Sequence, residues 1–231
     1  MYIIEGNIGA GKSTFLKLIN KQLPYVSIGL EPLNNWHTEE SGKSLLRQFY
    51  EQPKRWAYTL ETLALMSRVQ EHMLEQKHTH ELRIVERSIY SGFYCFAQNS
   101  YQSGFLTDIE WSVYKEWFHF LADNTCSIPQ GFVYLKVDPE IALERIRMRN
   151  RSAESGITLS YLKDIDKLHS DFLLEKKNID TKLKDVPVLV LDCNTDFEHN
   201  SKQLEQLLQN LGTFLLDNKA GSRQHPITHT L

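Results

Sequence analysis

The run Gly6-Asn7-Ile8-Gly9-Ala10-Gly11-Lys12-Ser13-Thr14 constrains the fold of this chain more than any other stretch. It lies between an apolar segment, Tyr2-Ile3-Ile4, and a helical pattern that begins at Phe15. Every fixed position of G-x-x-x-x-G-K-[ST] is filled. A backbone with glycines at 6, 9 and 11 can curl so that successive N–H groups face one anion at close range. The helix that follows directs its positive dipole end at the same point. A strand, a phosphate-cradling turn and a helix are therefore expected in succession. Lys12 is expected to hold outer phosphates as a point charge, and the Ser13 hydroxyl to be a ligand of Mg²⁺.

The remainder alternates in the same way. Short apolar runs recur at 25–30, 82–85, 132–137 and 186–191, separated by helical patterns at 12–22, 41–52, 53–76, 89–102, 106–124, from Pro139, at 159–176 and at 201–216. Strands alternating with helices predict an α/β fold, a five-stranded parallel sheet covered by helices on both faces. A chain of 231 residues that is 41% hydrophobic can bury one large core, so one domain is expected over 1–216, followed by a frayed polar tail over 217–231.

Two carboxylates fall at strand ends, Glu31 before Pro32 and Glu86 in Glu86-Arg87-Ser88. In α/β sheets that edge is where ligands bind. The helix from Pro139 carries Arg145, Arg147, Arg149 and Arg151 and runs into Ser152-Ala153-Glu154-Ser155-Gly156, a polar break suited to a lid over about 145–157. Opposite a phosphate loop, such arginines can neutralise charge on a phosphoryl group in transfer.

A net charge of −3 lacks the basic surplus of proteins that bind nucleic-acid polymers, so a small-molecule partner is expected. Cys95, Cys126 and Cys193 are odd in number and lack C-x-x-C spacing, which fits a reducing, cytoplasmic setting without a disulfide framework. No apolar run approaches the length of a membrane span, and the first strand begins at residue 2, leaving no leader expected ahead of it.

Three classes share a phosphate loop on an α/β chain: a motor or signalling NTPase, a kinase of a small molecule, and a nucleotide switch that only binds partners. Val188-Leu189-Val190-Leu191-Asp192 spells the second motif of an NTPase, but any buried strand ending in Asp does so. The arginine-rich helix and its polar break favour the kinase, which must shut water away from the phosphoryl group.

Several separated motifs then carry a specific resemblance. Gly6 to Thr14, Glu31-Pro32 with Trp36, Tyr50-Glu51-Gln52-Pro53, Arg68, Glu86-Arg87-Ser88, Arg145 to Glu154 and Asp196-Phe197 resemble, in order, the deoxyribonucleoside kinase family that includes deoxycytidine and deoxyguanosine kinases. The resemblance covers residues 1 to about 216. It implies phosphorylation of a deoxynucleoside 5′-hydroxyl by ATP with Mg²⁺. Glu31 resembles the general base and Arg87 the residue that holds the attacking oxygen; Glu86 would join Ser13 around Mg²⁺. Tyr50 and Glu154 match the pair that grips the sugar 3′-hydroxyl, and Arg145, Arg149 and Arg151 match lid arginines that clamp the donor phosphates. Trp36 and Phe96 match the walls of the base pocket, and Asp196-Phe197 the loop around the donor adenine. The helices 89–102 and 106–124, rich in aromatic residues, resemble the pair that forms the family's homodimer interface. A monophosphate kinase such as thymidylate kinase is the alternative within the mechanistic class, but a Glu31 and Arg87 pair suits a hydroxyl acceptor better than an anionic phosphate.

The departures lie in the base pocket. Where the family carries a Gln that bonds the base edge, this chain has Glu61; the preceding stacking Phe is Leu60; and an Asp that pairs with the arginine matching Arg68 is replaced by Gly92. One carboxylate is lost at 92 and one gained at 61, so Glu61 is expected to be the partner of Arg68. Ionised, it offers two acceptors, which match guanine N1–H and the 2-amino group, so deoxyguanosine is the favoured substrate on this reading.

Overall fold

The computed structural model of the chain describes residues 1–31, 44–78 and 82–221. Pro32 and Trp36 lie outside the described residues. Five strands, β1 (Tyr2–Glu5), β2 (Val26–Gly29), β3 (Leu82–Glu86), β4 (Gly131–Lys136) and β5 (Val188–Asp192), form one parallel sheet in the order β2-β3-β1-β4-β5. Neighbouring residues of a strand point to opposite faces, and both faces are apolar. Ile3, Val85, Phe132 and Tyr134 enter one core, whereas Tyr2, Ile4, Ile84, Val133 and Leu135 enter the other.

The first core is covered by α3 (Pro53–Glu75) and α6 (Asp108–Asn124), together with a bent helix. That helix starts as α4 (Ile89–Ser91), widens into a π-helical turn over Gly92–Ala97 and returns to α-helix as α5 (Gln98–Gln102). The second core is covered by α1 (Lys12–Gln22), α7 (Pro139–Arg149) and α10 (Ser201–Gly221). The segment α8 (Leu159–Leu173) lends Leu162 to one core and Phe172 to the other. The short helices α2 (Leu45–Glu51) and α9 (Thr181–Lys184) and a 3-10 turn over Ser152–Glu154 complete the described elements.

The expected uninterrupted helix 89–102 is thus corrected: the π turn re-aims everything beyond Gly92. The next helix starts at Asp108, set by a capping box in which Thr107 and Glu110 satisfy each other's backbone N–H groups. The helix expected to reach Lys176 stops at Leu173, and Lys176 and Asn178 turn left-handed while the Lys176 Nζ donates to the Val186 carbonyl at 3.1 Å. The last helix continues past Leu216 to Gly221.

Most of the aromatic helix load is core, because rings at helical spacing are packing material first. Phe93 stacks on Phe118 at 3.9 Å and on Trp111 at 5.2 Å between centroids. Another stripe of α6 differs: Ile109, Val113, Trp117 and Phe120 are exposed.

Candidate active site

The sheet brings three chain segments to one edge. Ile4 of β1 is opposite Glu86 of β3, and Gly29 of β2 is opposite Val85, so the phosphate loop, Glu31 and Glu86-Arg87 all leave the sheet at its carboxyl end. Between them lies a cavity of about 230 Å³ whose walls include Lys12, Glu31, Glu61, Arg68, Arg87 and Glu154.

The loop glycines serve a second purpose beyond close approach of an anion. Gly9 and Gly11 have φ of 81° and 91°, and a Cβ there would stand 2.5 Å from the Ala142 carbonyl and 2.8 Å from the Phe197 ring. They let the loop seat on α7 and on Phe197 as well as curl. The first turn of α1 has no side-chain cap, so its N–H groups remain for an anion. The Lys12 Nζ donates to the carbonyls of Gly6 at 3.1 Å and Asn7 at 2.8 Å. Burial, and then the nearby Arg87 charge, lower its pKa to about 7 against the pull of Glu86 and Glu31.

The Ser13 hydroxyl lies 2.9 Å and 3.0 Å from the two Glu86 oxygens. One hydroxyl and one carboxylate are the sparse oxygen set that Mg²⁺ uses when waters and substrate phosphates fill its remaining positions, so these residues fit that ion. Among the described residues no group of three or more His, Cys, Asp or Glu forms a protein-only metal site.

Glu31 is buried between two arginines, with Oε1 2.8 Å from Arg68 Nη2 and Oε2 3.3 Å from Arg87 Nε. Burial alone would push its pKa up, but Arg68 and then Arg87 outweigh it and hold the carboxyl below its usual range. Arg87 adopts φ 63°, a left-handed backbone that a non-glycine residue seldom takes and that is held by its N–H bond to the Ile4 carbonyl at 2.9 Å. This conformation turns the guanidinium across the face of Phe96, 4.7 Å from the ring centroid. Arg87 Nη1 has no hydrogen-bond partner among the described residues.

The side of the cavity expected to meet a base contains a correction. Arg68 is bound to Glu31 rather than to Glu61. A Cβ at Gly92 would stand 2.7 Å from Arg68 Nη1, so the guanidinium occupies the room a side chain at 92 would need. Glu61 instead accepts the Ser100 hydroxyl at 2.9 Å, and burial pushes its pKa up to about 7, against that hydrogen bond and the Arg68 charge. Phe96 does line the cavity.

In the lid, Arg149 Nη2 lies 2.6 Å and Arg151 Nη1 3.5 Å from the buried Glu154 carboxylate. Tyr50 joins this group: it lines the same cavity, packs against Gly156, and its hydroxyl pKa is raised by burial and then by the Glu154 charge. Arg145 does not join the cavity wall. Its Nη2 donates to the carbonyls of Cys193 at 2.8 Å and Asn194 at 3.1 Å, fastening the loop after β5 to α7. Phe197 is buried beneath the phosphate loop against Phe15, and Asp196 accepts from the backbone N–H of Glu198 at 2.9 Å. Asp192, the acid of the NTPase-like spelling, sits on edge strand β5 and accepts from the Asn194 N–H at 3.0 Å.

Ser100 and Glu5 are among the residues of this neighbourhood that escaped the sequence reading. Ser100 has no motif of its own. Glu5, the last residue of β1, is fully buried and accepts the Ser88 hydroxyl at 2.6 Å, which ties the phosphate-loop strand to the N-cap of α4. An acid immediately before Gly6 was the available signal.

A phosphate loop on a parallel sheet of order β2-β3-β1-β4-β5, faced by a carboxylate between arginines, defines a phosphotransferase of the P-loop kinase class. The profile of the deoxynucleoside kinase family matches residues 2–216, and the chain belongs to that family. It is 35% identical over 235 residues to deoxycytidine kinase 2 of Gallus gallus, a match covering 92% of this chain and 89% of the relative. Its identity to the mitochondrial deoxyguanosine kinase of Xenopus laevis is 35% over 233 residues, covering 92% and 88%. To deoxycytidine kinase of Homo sapiens it is 32% over 236 residues, covering 92% and 89%.

Proposed function

We propose that this deoxynucleoside kinase transfers the γ-phosphoryl group of ATP to the 5′-hydroxyl of a 2′-deoxyribonucleoside, as a step of nucleotide salvage. The observation that carries the reading is the Glu31 carboxylate, kept ionised by Arg68 and Arg87 across one cavity from Lys12 and Ser13. Glu31 accepts the proton of the 5′-hydroxyl as the oxygen attacks, which is the role in-line transfer asks of a carboxylate within hydrogen-bond reach. Arg87 holds that oxygen through its Nη1 donor. An anionic acceptor would meet the Glu31 charge at this position, which disfavours a monophosphate kinase.

On the donor side, the N–H groups of Gly6 to Thr14 and the first turn of α1 cradle the phosphates, and Lys12 leaves its carbonyl partners for the outer ones. Ser13 and Glu86 would hold Mg²⁺, which would supply charge neutralisation to the donor phosphates. Arg149 and Arg151 approach from the lid, while Glu154 and Tyr50 take the sugar 3′-hydroxyl. Phe96 forms one wall for the base; Trp36, proposed as the other, lies outside the described residues. Asp196 and Phe197 border the adenine through the loop that Arg145 fastens.

The exposed Ile109, Val113, Trp117 and Phe120 stripe supports a homodimer through the helices 89–102 and 106–124. Among the described residues no helix is long and apolar enough to cross a membrane, and the free thiols of Cys95, Cys126 and Cys193 suit the cytoplasm, where we place the chain. The test is to supply labelled ATP and Mg²⁺ with deoxynucleosides, ribonucleosides, deoxynucleoside monophosphates or no acceptor. Deoxynucleoside 5′-monophosphate should form, with ATP consumption tied to the nucleoside; equal ATP hydrolysis without acceptor would refute the proposal.

A further inference from the structure

Glu61 is a buried carboxyl group that phosphoryl transfer itself does not require. It lies on α3 and lines the cavity on the same wall as Arg68 and Phe96. Its Oε1 accepts the Ser100 hydroxyl of α5, which fixes the group's orientation. The charged side chain acting on it is Arg68 of its own helix, and that guanidinium is bound to Glu31 at 2.8 Å. From the packed elements, Tyr50 at the end of α2, Tyr114 of α6 and Tyr161 of α8 lie within reach of its charge. All three hydroxyls are pushed up, by burial first, so none carries charge near neutral pH. Among the described residues Glu61 therefore has no bound countercharge, and burial, the serine and the ligand act on its proton.

Resting on the deoxynucleoside kinase reading above, we infer that Glu61 selects the nucleobase through its protonation state, with Ser100 setting where the change falls. A carboxylic acid presents one donor and one acceptor, which suit the adjacent donor and acceptor on adenine, cytosine, thymine or guanine alike. A carboxylate presents acceptors only. Guanine meets it with two neighbouring donors, N1–H and the 2-amino group, whereas the other bases place an acceptor against a negative oxygen. The enzyme is accordingly broad when Glu61 is protonated and selective for deoxyguanosine when it is ionised. Burial pushes the pKa of Glu61 to about 7, which puts the change inside an assayable range.

The test is the ratio of kcat/KM for deoxyguanosine to that for deoxycytidine, followed from about pH 5.5 to about pH 8.5, roughly one and a half units either side of the midpoint near 7. Titration of Glu31 and Lys12 affects both substrates and cancels in the ratio. In the wild type the ratio should be flat at low pH and rise towards tenfold per unit above about pH 7, because cytosine binding then requires uptake of a proton. Glu61→Gln should give a flat ratio, and Ser100→Ala, which removes a bond favouring the ionised form, should move the rise to higher pH. Calorimetry of wild-type protein at pH 8 in buffers of different ionisation enthalpy should show proton uptake with deoxycytidine and none with deoxyguanosine. A flat wild-type ratio, an equal rise in Glu61→Gln, or equal proton uptake with the two nucleosides would overturn the inference. Absence of any nucleoside phosphorylation would instead overturn the reading beneath it.

Discussion

Gly92→Ala probes the contact on which the state of Glu31 depends. The added methyl carbon would stand 2.7 Å from Arg68 Nη1, closer than real Cβ contacts come, and the atom in its way is the far end of a flexible side chain. The guanidinium therefore gives way and the backbone stays. What it leaves is a buried, charge-assisted bond of 2.8 Å to Glu31. Such a bond is worth about 1.5–3 kcal/mol. Its loss leaves burial less opposed, so the Glu31 pKa rises.

The sign follows from which form the arginines favour. Their charge lowers the pKa of Glu31 in the folded enzyme, so the ionised base and the stability it contributes persist to lower pH and are lost as pH falls through that depressed value. Moving Arg68 raises the threshold. The acid limb of kcat/KM, which reports the free enzyme's base, should move to higher pH in Gly92→Ala, with kcat/KM on that limb falling by roughly ten- to a hundredfold for a lost bond of about 1.5–3 kcal/mol and activity near pH 8 least affected. Arg68→Met should reproduce the shift, and the double variant should add little to either, because both remove one interaction. The reasoning is refuted if Gly92→Ala folds with wild-type cooperativity and its acid limb does not move.

Donor binding near pH 8 should take up a proton at Lys12, whose pKa of about 7 in the free site rises once phosphates replace carbonyls; calorimetry in two buffers would detect the uptake, and Lys12→Met would lose it. Arg145→Ala should lower stability by about 2 kcal/mol through the released loop after β5, with the KM for ATP rising less than in Arg149→Ala or Arg151→Ala; denaturation and steady-state kinetics on the three variants separate the roles. Trp117→Ser combined with Phe120→Ser should convert a dimer to monomers in light scattering, while an unchanged mass would place the interface elsewhere.

The parts of the site fixed by local chemistry were legible. The phosphate loop and the limits of α1, Lys12 to Gln22, follow from glycine, lysine and an apolar face. Glu31 and Glu86 were legible as strand ends because short apolar runs stop there, and a parallel sheet gathers such ends at one edge. What depends on distant packing was not. The π turn adds a residue to the helical ladder, so Ser100 rotates out of the phase that α-helical spacing assigns and meets Glu61 from another element. The partner of Arg68 was misread because the deciding feature is space: Gly92 has no side chain, and the guanidinium fills its place. Arg145 shares a run with Arg149 and Arg151, yet only the fold shows that it faces the Cys193 and Asn194 carbonyls.

The central claim is that Glu31 receives the proton of the attacking hydroxyl in a site built around the phosphate loop. Its most direct test is the rate of 5′-monophosphate formation by Glu31→Gln at saturating deoxynucleoside and ATP, with nucleoside binding measured on the same preparation. The account predicts a fall of about 10²–10⁴-fold in kcat with binding retained. Turnover near the wild-type rate would contradict it and assign the proton to another group.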